Sequence, residues 1–362
     1  MSPTGPPPGS PPVQPAGPPA PYAAPFGRPP SPVEQQARAA HPHPEPRSYP
    51  LMLRTWDYAW WKPVVGIVVL VVGGMLVMPL VLLPVLAAGV ALEGGSGTFS
   101  QRFSDAASLS SVTPSAMLYL NLALGSLTLI AMLNVRVLHR LRPRWLSSVM
   151  PGMRWRFFAA CLGLSVVALG GSLLFGALLP QDPNDVGGEP HKLTGMLVAT
   201  AIVVLLTTPL QALGEEYAFR GYLMQAFGSL TRSRVAAVLV TSLLFALAHG
   251  TQNFPLFFDR FAFGLMAGLV VVLVGGLEAG IALHVLNNIV AFGIAIFFGN
   301  LDSALNVSEV SWWQLPTTVV QNGVYLVLVL LVARRMGLRR TTSPPPAAPA
   351  ELAAAQSPGG AA

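Results

Sequence analysis

Polar and apolar positions fall along this chain in blocks rather than residue by residue. Eight predominantly apolar runs, at about 64–91, 114–134, 157–179, 193–214, 235–249, 257–274, 281–298 and 315–333, are separated by short polar segments. Runs of roughly 20 apolar residues match the thickness of a bilayer core crossed by an α-helix. The pattern predicts an all-α polytopic membrane protein with about eight transmembrane helices. The first run is long enough to tilt, or to break near Pro79 and Pro84, and the fifth is short. Residues 1–50 hold 18 of the 35 prolines, and with so few apolar anchors they cannot bury a core. They are expected to form a disordered Pro-rich cytoplasmic tail, with residues 51–340 as the multi-span domain. Residues 341–362, including Ser343 to Pro346, are expected to form a short disordered C-terminal tail.

Composition supports this picture and narrows it. The chain has 362 residues, 52% hydrophobic and only 10% charged, with a mean hydropathy of +0.57. Its net charge of +6 is explained by topology and not by a nucleic-acid ligand. Arg54 and Lys62 precede the first run, and Arg136, Arg140, Arg142, Arg144, Arg154 and Arg156 crowd the second loop. Arg232 and Arg234 follow the fourth run, and Arg334, Arg335, Arg339 and Arg340 follow the last. The alternate loops carry Glu93, Asp105, Asp182, Asp185, Glu189, Asp302 and Glu309. This bias places both termini in the cytoplasm, which an even number of spans requires, and the protein in the plasma membrane. The segment 275–280 is an unusual connection, because Glu278 is its only charge. Gly264 and Gly268 suit close helix packing. The single cysteine, Cys161, lies in an apolar run and reads as a packed core residue. Only two lysines, Lys62 and Lys192, against many arginines suggest a high-GC bacterial source.

Charges inside apolar runs carry the chemistry. A charged residue at the centre of a membrane helix costs roughly 2.5–3.5 kcal/mol on insertion scales, so it needs a partner or a wet cavity. Three segments hold such groups four residues apart, on one helix face. The first has Glu215, Glu216 and Arg220; the second runs from Phe245 to His249; the third has His284 and Asn288. Neighbouring helical residues point about 100° apart, so the two glutamates face different surroundings. Glu216 precedes Arg220 by four residues, the favourable order for an ion pair, which leaves Glu215 the freer carboxylate. Singly, each segment reads as a solvated helix end or a satisfied core polar group. Together, on three helices of one bundle, they point to a catalytic site. Zinc-helix, serine-nucleophile and paired-aspartate patterns of other intramembrane hydrolases are absent from the sequence.

In these three motifs the chain resembles the CPBP family of intramembrane proteases, also called Abi or CAAX-protease-like, which includes the type II CAAX prenyl proteases. The family pattern of Glu-Glu-x-x-x-Arg, Phe-x-x-x-His and His-x-x-x-Asn occurs in order as Glu215-Glu216 to Arg220, Phe245 to His249, and His284 to Asn288. The resemblance covers a protease-like core at about 193–298. It implies an endopeptidase in which Glu215 with His249 polarises a water. His284 and Asn288 would stabilise the oxyanion, and Glu216 and Arg220 would hold the site together. Members of the family are also labelled metalloproteases, and zinc held by Glu215, His249 and His284 is the alternative chemistry. Asn288 is a poor zinc ligand but a good oxyanion donor, which favours a mechanism requiring no cofactor.

The expected substrate is a membrane-associated peptide or the tail of a membrane protein, with the lipid bilayer as the other partner. The Pro-rich tail could additionally dock a cytoplasmic partner. A non-enzymatic immunity or regulatory scaffold of the same family is the competing reading, and a transporter is disfavoured because the acidic pair is not echoed in a second half of the chain. His284 follows Gly280 by four residues, so the site is expected nearer the cytoplasmic face than the midplane.

Overall fold

The computed structural model describes residues 40–180 and 190–344. Asp182, Asp185 and Glu189 of the acidic loops, and the tails at 1–39 and 345–362, lie outside the described residues. Among the described residues, seven helices are long and apolar enough to cross a membrane. They are α1 (Trp61–Glu93), α3 (Pro114–Val137), α4 (Trp155–Gly176), α5 (Gly195–Thr231), α7 (Phe254–Val274), α8 (Glu278–Phe298) and α10 (Gln314–Arg335). The short run of the sequence is α6 (Arg234–Leu247), 14 residues and about 21 Å long. Two short helices, α2 (Phe99–Ala107) and α9 (Leu301–Leu305), lie in the connections. The protein is an all-helical, multi-pass membrane protein. Val68, Met75, Leu76, Leu80 and Val81 of α1 are exposed, as suits a helix with a face against lipid.

Local chemistry sets the helix ends. Thr113 accepts from the Ala116 amide to start α3, with Pro114 at the first position, where no N–H is needed. Thr194, Ser233 and Asn253 cap α5, α6 and α7 in the same way. Arg232 at φ +60° and Gly275 at φ +73° turn the chain in the left-handed region after α5 and α7. Prolines do not break α1, contrary to one expectation for its long run. A π-helical turn at Gly73–Val77 precedes Pro79, and such local adjustments let membrane helices absorb a missing N–H.

The bundle is held by close helix contacts. Gly125 and Gly214 face each other across α3 and α5: a Cβ on Gly214 would fall 1.9 Å from the Leu124 carbonyl oxygen. Beside this contact Asn121 donates to Thr207 at 2.8 Å. Small residues that let backbones touch are the usual substitute for hydrophobic driving force in lipid. Gly214→Ala is expected to cost about 3 kcal/mol or more, read as a lowered unfolding temperature in detergent. Gly163→Ala, which meets nothing within 4 Å, should leave that temperature unchanged.

At the end bearing the arginine-rich loops, the chain builds a polar cap. Val149 donates to Gly275 at 2.8 Å and Leu277 to Ser147 at 2.9 Å. Glu278, fully buried, takes both arms of Arg154 at 2.6 and 2.7 Å. The odd connection at 275–278 is thereby a buried junction with its one charge neutralised in a fork geometry. The expected tail boundaries shift here. Residues 41–50 are packed and not disordered: Tyr49 is fully buried and donates to the Leu146 carbonyl. Met52 and Leu53 are buried with it. Thr342 exchanges two 2.9 Å bonds with Arg47, so residues 341–344 also belong to the folded unit.

Two histidines in this cap, outside the spans, are held neutral by burial, His43 and His139 each at about 4 against 6.5. Their folded-state values are depressed, so the unfolded chain binds more protons between the two. Stability should be fully present above about pH 6.5 and fall as pH drops towards 4. His43→Phe combined with His139→Phe should flatten that acid limb in thermal unfolding.

Candidate active site

α5 does not end where its apolar run ends. The predicted span stopped at 214, but the helix continues through a π-helical turn, Tyr217–Leu223, to Thr231. Its charges are paired within the protein, while Glu216 Oε2 and Arg220 Nε and Nη2 have no hydrogen-bond partner among the described residues. Glu216 and Arg220, both 0% exposed, pair at 2.9 Å through Oε1 and Nη1. The guanidinium also lies 4.0 Å from the centre of the Phe245 ring on α6 and 5.4 Å from that of Phe263 on α7.

α8 brings the third motif onto this pair. His284 donates from Nδ1 to the same Glu216 Oε1 at 2.9 Å. Its other nitrogen, Nε2, lies 3.6 Å from Glu215 Oε2. The adjacent glutamates do differ in surroundings, as helical geometry requires, yet His284 stands between them and touches both. Gly280, one turn before His284, has only hydrogen where a Cβ would meet Glu216 Oε2 at 2.7 Å.

Glu215 has its own support. Gln211, one turn earlier and buried, donates Nε2 to Glu215 Oε1 at 2.7 Å. Asn288 donates Nδ2 to Gln211 Oε1 at 3.1 Å. A carboxylate accepts only, so the Gln211 amide orientation is fixed, and through it that of Asn288. His249 sits just past the end of α6 and donates Nδ1 to the Phe245 carbonyl at 2.7 Å, which leaves Nε2 free to accept a proton. No hydrogen bond joins His249 to Glu215, but the two lie within electrostatic reach of one another. Phe245 and Phe263 wall the cluster, with ring centres 5.9 and 5.1 Å from that of His284.

Residues 197–290 match the family model described as type II CAAX prenyl endopeptidase Rce1-like. All seven motif residues fall inside that segment. Over this segment the chain is similar to that family. No curated protein and no solved structure matches the chain. The matched segment, 94 of the 362 residues, lies within the stretch 193–298.

The core contains polar residues that the motif reading passed over. Gln211 had a signal, standing four residues before Glu215 on the same helix face. Asp259 and Arg260 are charges inside the run 257–274, and Asp259 Oδ1 accepts from Gln314 Nε2 at 3.1 Å and from Thr318. His284 is six residues, about 9 Å, into α8 from the basic-loop end. His249 is at the opposite end of α6, where Asn253 of the next loop donates to the Ser308 and Val310 carbonyls.

Zinc takes donors of the kinds present here, and both imidazoles are oriented through Nδ1 as ligating rings are. Their placement is another matter. Among the described residues, no group of three His, Cys, Asp or Glu converges on a point that a metal ion could share.

Proposed function

We propose that this protein is an intramembrane endopeptidase that hydrolyses a peptide bond in a membrane-associated peptide or protein, using a water activated by Glu215. The observation that carries this reading is the meeting of Glu215, Glu216 and His284 from two helices, with Glu215 braced by Gln211 and Asn288. A water about 2.8 Å from both Glu215 Oε2 and His284 Nε2 fits their 3.6 Å separation. Glu215 takes one proton from that water as its oxygen attacks the scissile carbonyl carbon. The tetrahedral oxyanion then collapses, the C–N bond breaks, and the proton passes to the leaving amine. His249, with Nε2 free, assists the proton transfers. In the oxyanion step Asn288 donates its second N–H. His284 would join it only with a proton on Nε2, because its Nδ1–H is already committed to Glu216. Glu216 and Arg220 form the frame that holds His284.

No step is routed through a metal, because the three candidate donors do not converge. Stoichiometric zinc in active purified protein would overturn this choice: Glu215, His249 and His284 would then hold the ion, which would supply Lewis-acid activation of water. The scaffold reading leaves the brace on Glu215 without a purpose. In the proposed topology both termini and the basic cap face the cytoplasm of a bacterial plasma membrane. Comparative peptidomics of membranes from cells expressing the wild type or Glu215→Ala tests the function. Peptides present only with the wild type are expected, and identical peptide sets would refute proteolysis.

A further inference from the structure

Beyond the last turn of α10 the chain folds back on its own helix. Gly337, at φ +62°, donates to the Arg334 carbonyl and Leu338 to the Ala333 carbonyl, each at 3.1 Å, while Met336 donates to Val332 at 2.9 Å. This Schellman closure occupies the final carbonyls. A helix C-terminus ordinarily repels anions, but here those carbonyls have backbone donors and Arg334 and Arg335 stand in the last turn.

The chain then crosses the end of α7. A Cβ on Gly275 would meet the Arg339 carbonyl oxygen at 2.8 Å and the Arg340 Cα at 3.3 Å, and two residues later Thr342 is bonded to Arg47. The backbone of Arg340 is thereby fixed over α7. Arg334 and Arg340 together border a crevice of about 140 Å³, lined otherwise by Leu273, Leu330, Ala333 and Leu338. Both arginines are exposed, and neither has a hydrogen bond or an ion pair among the described residues. Nearby groups are already committed: Arg339 donates to Ser343 at 2.7 Å, and Glu278, the one charge of the adjoining junction, is held by Arg154.

An apolar crevice bordered by two unpaired guanidinium groups, where a membrane helix meets its basic end, is complementary to an amphiphile with an anionic head. Leu331 and Val327, both exposed, follow Arg334 back along α10 at steps of three and four residues, so the apolar surface continues along one helix face. We propose that this crevice binds an anionic phospholipid, its phosphate clamped by Arg334 and Arg340 and an acyl chain lying along Leu331 and Val327. Guanidinium groups pair with phosphate oxygens through two parallel N–H donors, and basic pockets between membrane helices are the usual seat of such headgroups. The apolar lining and stripe favour a lipid over free phosphate. The site is separate from Glu215 and His284 and does not depend on the protease reading.

The test titrates the purified full chain in detergent with phosphatidylglycerol or phosphatidylcholine of equal chain length and reads bound lipid by native mass spectrometry. Phosphatidylglycerol should bind about thirtyfold more tightly, as two arginines facing one anionic head supply. Arg334→Gln with Arg340→Gln should erase most of that preference. Arg136→Gln with Arg335→Gln, the same loss of charge from exposed arginines that do not line the crevice, should keep it. Without lipid both double variants should unfold at the wild-type temperature, because all four side chains are exposed. An equal fall in the two double variants would show that net charge alone draws the lipid, and would overturn the site. Equal affinity for the two lipids would overturn it as well, and inorganic phosphate binding as tightly as phosphatidylglycerol would overturn the choice of a lipid.

Discussion

Glu215→Gln removes proteolysis while leaving the protein folded. The substitution keeps the side chain's size and an oxygen able to accept from Gln211, so the contact at 2.7 Å survives in form. What it removes is the basic carboxylate. A positioned general base contributes about 10²–10⁴ in rate, and without one a water in an apolar cavity is a poor nucleophile. His249→Ala should act in the same direction, since its free Nε2 is the second proton acceptor in the cluster. The measurement is cleavage of a co-expressed membrane substrate, with thermal unfolding in detergent run alongside on both variants. Loss of cleavage at an unchanged unfolding temperature is the expected pair of results. Retained cleavage in either variant would refute the mechanism.

The helices were legible because their lengths are set by the bilayer, and an apolar run of that length has few other solutions. The end of α5 was not legible for the same reason. The charges from Glu215 to Arg220 look like the edge of a membrane segment until their partners on α6 and α8 are known, and those partners lie 25 to 69 residues away in the chain. The packed segment at 41–58 was hidden by its prolines. Tyr49, Met52 and Leu53 are the apolar anchors that fix it, and they fall at the very boundary where composition changes. Within the site, four-residue spacing gave the Glu216–Arg220 pair directly. It did not show that His284 joins both carboxylates, because contact between helices depends on rotation and depth that one sequence does not encode. Gln211 and Arg260 were passed over in favour of motif residues, although each is a polar group inside an apolar run and raised the same energetic question as Glu215.

Arg220→Met should destabilise the protein more than any change at Glu215, and should abolish activity as a consequence. Arg220 and Glu216 are both fully buried, and removing one partner of a buried pair leaves an uncompensated charge worth about 3–5 kcal/mol. The lost guanidinium also vacates its place over Phe245, the ring that packs against His249 and His284. Glu216→Gln combined with Arg220→Met removes both charges and should recover a large part of the unfolding temperature lost in Arg220→Met alone. It should not recover cleavage, because an amide at 216 holds the Nδ1–H of His284 more weakly than a carboxylate does. A single Arg220→Met that unfolds like the wild type would contradict a framing role for the pair. Equal damage in the single and double variants would show that packing of the guanidinium, not its charge, is what the site requires.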